Sequence, residues 1–243
     1  MFRIARVLPV LLAVVTVGAI ARGSIQAVAA DGQSTAKPMR VALVGASGNV
    51  GSRILAELVA RGHSVTGIAR TPDAIQAGPR VTAVKGDVNE PAALAKLLAR
   101  HDAVISAVPF RNVPDPNVLI GAVREAGVKR YIVVGGAASL LNAEGQRLLD
   151  TPALERFRTS PEPAGGVLFL EALRKVADLD WTFFSPAVNF APGERTGKFR
   201  LGGDTVVTDA QGQSRISMED YAIALVDELE TPRHIRQRFT AGY

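Results

Sequence analysis

Alternation of strand-like and helix-like segments predicts an α/β fold: a doubly wound, mostly parallel sheet with helices on both faces, in a single domain. Three observations carry that expectation. Short continuous apolar runs such as Arg40 to Val44 and Asp102 to Val108 have the composition of strands buried on both faces. Segments with helical apolar spacing separate them. A glycine-spaced stretch, GASGNVG from Gly45 to Gly51, joins the first run to the first helical segment.

The elements follow in order. After the strand ending at Val44, Val50, Ile54, Leu55, Leu58 and Val59 recur at helical spacing, and Arg61-Gly62 supplies a C-terminal stop. His63 to Ala69 is the second strand and Val81 to Val84 the third. Pro91 to Arg100 is a helix with Asn89 near its N-cap and proline in its first turn. Asp102 to Val108 is the fourth strand, Val118 to Ala126 a helix stopped by Gly127, and Arg130 to Val134 the fifth strand. Gly166 to Ala177 is helical, Trp181 to Phe184 is a strand, and Met218 to Glu230 is a helix. Ser217 and Asp220 have capping-box spacing at the start of that last helix. Leu140 to Ala164 has no core pattern and reads as a lid, and Gly193 to Ser217 as a short hairpin or excursion beside it.

The chain has 243 residues, 47% of them hydrophobic, which suits one domain with a sizeable core. Its formal charge of +5 is uneven, because Arg3, Arg6 and Arg22 lie in the first thirty residues, where there are no acids. The remainder carries 25 Lys and Arg against 23 acids, which makes no surface for a nucleic-acid partner. Residues 1–30 read as a signal peptide or N-terminal anchor: a basic start, the apolar stretch VLPVLLAVVTVGAIA, and a small-x-small cleavage pattern at Ala27-Val28-Ala29. Residues 31–38 are a linker and 39–243 the domain, with no membrane span expected in the mature domain. A genuine leader implies an exported or periplasmic protein; a start at Met39 would imply a cytoplasmic one. Cysteine is absent and so does not arbitrate between compartments.

The glycine-spaced stretch gains meaning from its position between the first strand and the first helix, which is the context of a dinucleotide-binding Rossmann turn. Gly45 permits the turn, Gly48 lets backbone approach a pyrophosphate, and Gly51 lets the helix pack on the sheet. Free N–H groups around Asn49 and Val50 then face an anion at the positive helix end, and Ser47 adds a hydroxyl donor. The second strand ends in Ile68-Ala69-Arg70-Thr71, with no acid until Asp73 to accept from a ribose 2′-hydroxyl. Arg70 suits a 2′-phosphate instead, which favours NADP(H) while leaving NAD(H) open. Asp87 and Val88, in KGDV after the third strand, would flank the adenine; a turn-stabilising aspartate is the alternative for Asp87.

VALVGASGNVGSRI, VKGDV, DAVISAV, VKRYIVVGGAASL and WTFFSPA together resemble an atypical short-chain dehydrogenase/reductase. The similarity is to the NAD(P)H-flavin reductase group, related to biliverdin reductase B and to NAD(P)-binding epimerase/dehydratase-like proteins. APGERTGKFRLGGD and SRISMEDYAIALVDELETPRHIRQRFT extend it beyond the cofactor half to the end of the chain. The resemblance exposes an absence: ordinary members carry Tyr-x-x-x-Lys on the helix after strand five, and Gly165 to Lys175 has no such pair. Tyr131, Tyr221 and Tyr243 lie elsewhere.

Ligands of such sheets collect at the carboxyl ends of the strands. Ser106, Ala107 and Val108 at the end of strand four, Gly135 after strand five and Pro186 at the end of strand six are therefore expected at the cofactor. Ser139 is a candidate donor to a developing anion, by analogy with the serine of the biliverdin reductase B group; a loop or cap serine is the alternative. Phe110 and Phe190 are candidate aromatic walls, and Arg111 a candidate for a flavin phosphate or a solvated surface. His63, His101 and His234 lack metal-ligand spacing. The expected function is an NAD(P)H-dependent oxidoreductase passing hydride to a flavin or similar ring acceptor. A non-catalytic nucleotide sensor, like the regulators of nitrogen metabolite repression, is the alternative, and a nucleotide-sugar epimerase or dehydratase is disfavoured by the missing pair. Oligomeric state is not legible.

Overall fold

The central strand β1 (Arg40–Val44) shows why the apolar runs are continuous. Val41 and Leu43 pack into the core on one face of the sheet, Ala42 and Val44 into the core on the other. A strand buried on both sides has no polar position to alternate with. The computed structural model describes residues 37–113 and 115–243; the leader and most of the linker expected from the sequence lie outside the described residues.

In chain order the elements after β1 are α1 (Asn49–Ala60), β2 (Ser64–Ala69), β3 (Val81–Lys85), α2 (Pro91–Leu98), β4 (Ala103–Ser106), α3 (Pro116–Glu125) and β5 (Arg130–Val134). There follow α4 (Pro161–Leu173), β6 (Asp180–Ser185), β7 (Asn189–Ala191), β8 (Arg200–Gly202), β9 (Arg215–Ser217), α5 (Met218–Glu230) and β10 (Gln237–Gly242). The main sheet runs β3-β2-β1-β4-β5-β6-β10-β8, parallel throughout except for β8, which pairs antiparallel with β10. Helices α1 and α5 pack together on one face; α2, α3 and α4 cover the other. The strand order reverses between β1 and β4, so the loops leaving their carboxyl ends diverge and open a crevice there.

Several expectations need correction. Helix α4 begins at Pro161 rather than Gly166, with Ser160 as its N-cap residue and proline in its first turn. The end of the supposed lid is thus helix, and the rest is partly shaped by 3₁₀ turns at Leu148–Asp150 and Pro152–Phe157. Helix α2 has Glu90, next to Asn89, at its N-cap position, and it ends at Leu98 rather than Arg100 because Ala99 turns to an extended ψ of 148°. Gly193 to Ser217 forms no hairpin of its own: β8 joins the main sheet, and β9 pairs in parallel with β7. Strand β10, unforeseen, inserts between β6 and β8. The Ser217 cap is as expected, its hydroxyl accepting from the Asp220 N–H at 3.0 Å.

Candidate dinucleotide site

The turn after β1 is built by close approach. Gly45 has φ +85°, and a Cβ there would lie 2.8 Å from the Ala107 carbonyl oxygen, so the exits of β1 and β4 touch through backbone. A Cβ on Gly51 would lie 2.1 Å from the Gly45 carbonyl oxygen, which is why α1 can seat on the turn only with glycine there. Gly48 is different. An added Cβ would meet only the Gly45 carbonyl, at 3.3 Å, and Gly48 lines the crevice. The first turn of α1 holds no acid, and Gly48 provides no side-chain cap. Its leading N–H groups therefore face the crevice without a protein acceptor built for them, an arrangement that fits a pyrophosphate.

The crevice has a volume of about 600 Å³. Of the residues expected at the cofactor, Gly45, Ser47, Gly48, Asn49, Val50, Arg70, Asp87, Val88, Ala107, Val108 and Gly135 line it. Arg70 is exposed at one end and enters no ion pair among the described residues, so its guanidinium is available to a ligand. Asp87 accepts from the backbone N–H and side-chain amide of Asn89, both at 3.0 Å, so it shapes its turn while lining the crevice.

Four expected site residues do not line it. Gly51 is buried under the turn; Ser106 is buried in β4, and Pro186 behind the crevice. Ser139 is buried in a 3₁₀ turn, where its hydroxyl donates to the Gly136 carbonyl at 3.3 Å. Behind it the buried Arg238 guanidinium donates to the Ser139 carbonyl at 2.9 Å and ion-pairs with Asp204.

At the end away from Arg70, the crevice is bounded by Pro109, Phe110, Val134 and Phe190, with Arg111 and Glu162 at its rim. Phe110 is largely a core side chain, 5.5 Å from the Phe169 ring and 6.0 Å from that of Phe183. Phe190 is half-buried and leans on Tyr221 at 4.8 Å. Arg111 pairs with Glu162 at 3.2 Å. Glu162 was missed because it falls in the segment read as a lid; Ser160-Pro161 was the available signal for an earlier helix start.

None of the chain's tyrosines lines the crevice. Burial pushes the Tyr131 hydroxyl well up from its ordinary value. Tyr221 is raised for the same reason and donates to the Phe184 carbonyl at 2.6 Å. Burial also raises Tyr243, which bonds to Asp220 at 2.8 Å and to Ser217 at 3.0 Å. The Tyr221 and Tyr243 hydroxyls are thus engaged within the fold, and the Tyr131 hydroxyl is buried without a hydrogen-bond partner among the described residues.

Comparison with known proteins agrees with this geometry. Residues 45–232 match the family described as NAD(P)H-binding. A solved structure from Burkholderia pseudomallei, provisionally described as an exported protein, is 43% identical, with a TM-score of 0.74 over 84% of this chain and 100% of that one. A Bacteroides thetaiotaomicron protein provisionally described as an epimerase is 41% identical, with a TM-score of 0.79 over 85% and 98%. A Streptococcus pneumoniae protein provisionally described as an NADH-flavin reductase is 39% identical, with a TM-score of 0.74 over 84% and 99%. With this match spanning most of the domain, the chain belongs to the NAD(P)H-binding family, among the proteins like atypical short-chain dehydrogenases/reductases.

Proposed function

We propose that the protein is an NADPH-preferring oxidoreductase that passes hydride to a flavin or a similar planar ring. The observation that carries this reading is the composition of the crevice end remote from Arg70. Its lining contains no tyrosine and no lysine; beside the apolar walls it holds Asn112 and the Arg111–Glu162 pair. Alcohol–ketone chemistry needs a placed proton donor; reduction of an isoalloxazine at N5 needs mainly two rings held face to face. The pneumococcal relative's provisional description supports the same acceptor class. The epimerase description of the Bacteroides relative calls for the acid–base pair that this crevice lacks.

The bound nicotinamide would supply the hydride. The leading N–H groups of α1 would hold the pyrophosphate, and Arg70 the 2′-phosphate. Phe190, Pro109 and Val134 would present flat apolar surface and exclude water on one side. Ser139 acts as a turn residue in this reading, since its hydroxyl is already engaged with Gly136.

NADPH oxidation with FMN or riboflavin tests the proposal. Turnover is expected, and Ser139→Ala should lower kcat by less than about tenfold. A fall of about a hundredfold, the scale of a lost oxyanion donor, would refute the positioning mechanism. NADPH binding without turnover on any flavin would point to a sensor.

The leader pattern and the relative described as exported also support export of this chain. Among the described residues no helix is long and apolar enough to cross a membrane. Mass spectrometry of the mature protein should find an N-terminus just after Ala29; one at Met39 would overturn export.

A further inference from the structure

We infer that Glu162 is a positioning residue for the nicotinamide half of the cofactor, acting through the turn that follows β4. The inference rests on the cofactor binding proposed above, with the 2′-phosphate at Arg70, and takes the nicotinamide to lie at the crevice end remote from Arg70, lined by Pro109, Phe110, Val134 and Phe190.

The turn Phe110–Asn112 is a short 3₁₀ segment, and Pro109 before it supplies no side-chain cap. Its first two N–H groups would otherwise lack an acceptor. Glu162, reaching from the first turn of α4, accepts from Phe110 N–H through one carboxylate oxygen and from Arg111 N–H through the other, both at 3.1 Å. The Arg111 guanidinium adds a third contact at 3.2 Å. That ion pair is exposed and contributes little by itself. The two backbone bonds fix the turn, because they tie adjacent peptide groups to one rigid carboxylate from a different element.

Helix α4 is also docked sterically on the same turn. A Cβ on Gly165 would lie 2.9 Å from the Phe110 Cβ, and one on Gly166 would lie 3.1 Å from the Phe110 ring. Phe110 in turn packs on Phe183, and a Cβ on Gly135 would lie 2.4 Å from the Phe183 ring. Glu162, Phe110, Phe183 and Gly135 thus form one connected series whose two members Phe110 and Gly135 both line the crevice. Loosening the Glu162 carboxylate should let the Phe110 wall move while leaving the glycine turn and Arg70 in place.

Calorimetry with two ligands tests this. NADPH carries the nicotinamide; 2′,5′-ADP carries the adenine and 2′-phosphate without it. For Glu162→Ala we expect NADPH affinity to fall about three- to tenfold, a loss in the range of an ordinary net hydrogen bond, while 2′,5′-ADP changes by less than about twofold. Glu162→Gln keeps the volume but can accept from only one N–H, so it should fall between wild type and alanine. If the alanine variant fails to fold, the glutamine variant carries the same comparison between ligands. Equal weakening of both ligands would mean general damage and would overturn the inference, as would unchanged NADPH binding. Failure of flavin turnover with the expected binding pattern would overturn the proposed activity and leave this inference standing.

Discussion

Gly48 and Arg70 are the residues on which the proposed cofactor recognition rests. At Gly48 the backbone is ordinary, so glycine is required there only for the space its missing side chain leaves in the crevice. Gly48→Val should abolish NADPH binding while the protein stays folded, which calorimetry on the folded variant checks. Unchanged affinity would remove the pyrophosphate from this turn. Arg70 bears on cofactor choice. With no carboxylate paired to it, Arg70→Ala should weaken NADPH binding by about 1.5–3 kcal/mol, the range for a hydrogen bond between charged partners. NADH binding should change far less; equal losses would mean that Arg70 does not read the 2′-phosphate. Both positions were legible in the sequence because a β-turn-α context and a strand end are local features. Glu162 was not, because its partners lie about fifty residues away in the chain, at Phe110 and Arg111.

Among the elements, the stretch around Gly193–Lys198 has a role that sequence comparison alone did not assign. It is clamped to the start of α5 and to α1. Asp220, fully buried, accepts from Thr196 N–H and Gly197 N–H, both at 2.8 Å, and from the Tyr243 hydroxyl at 2.8 Å. Glu219 accepts from Gly193 N–H at 2.8 Å, the Ser217 hydroxyl donates to the Glu194 carbonyl, and Arg195 pairs with Glu57 on α1. The two segments that carried the resemblance outside the cofactor half therefore bind each other. Near this clamp, β7 and β9 pair and carry Phe190 to the crevice wall. Asp220→Ala would leave buried donors without an acceptor and should destabilise the protein by about 2–4 kcal/mol in urea titration. A loss below about 0.5 kcal/mol would mean that the clamp is dispensable.

For the molecule as a whole, the buried charge network at the start of β5 bears on pH stability. Arg130, which opens β5, reaches Glu228 on α5 at 3.0 Å, and Glu228 also accepts from the His234 ring at 2.8 Å and from the backbone N–H groups of Arg233 and His234. Burial opposes ionisation of Glu228, but these hydrogen bonds and the Arg130 charge outweigh it and hold the carboxyl below the usual glutamate range. A carboxyl depressed in the folded state stabilises fully above its unfolded value, and that contribution fades as pH falls through the folded one. Melting temperature should therefore decline below about pH 4.5, the region where an unfolded glutamate takes up its proton. Glu228→Gln should lower stability at neutral pH and flatten the acid decline. An unaltered acid profile in that variant would place the lability elsewhere.

The order of the first strands and helices, the parallel sheet and the cofactor turn were determined by the sequence itself. They depend on apolar periodicity and on glycine at a turn, which act over a few residues. The tertiary structure decided the rest, because it depends on contacts between residues far apart in the chain. Strand β10 hides Arg238 and Thr240 in the sheet, Arg238 through its pair with Asp204, and so it shows no strand-like alternation. Ser106 ends β4, and Pro186 and Ser139 come after strands whose ends lead to the crevice, yet all three are buried away from it. Glu162 reaches the crevice only because two glycines let α4 come into contact with Phe110, a proximity that no local pattern encodes.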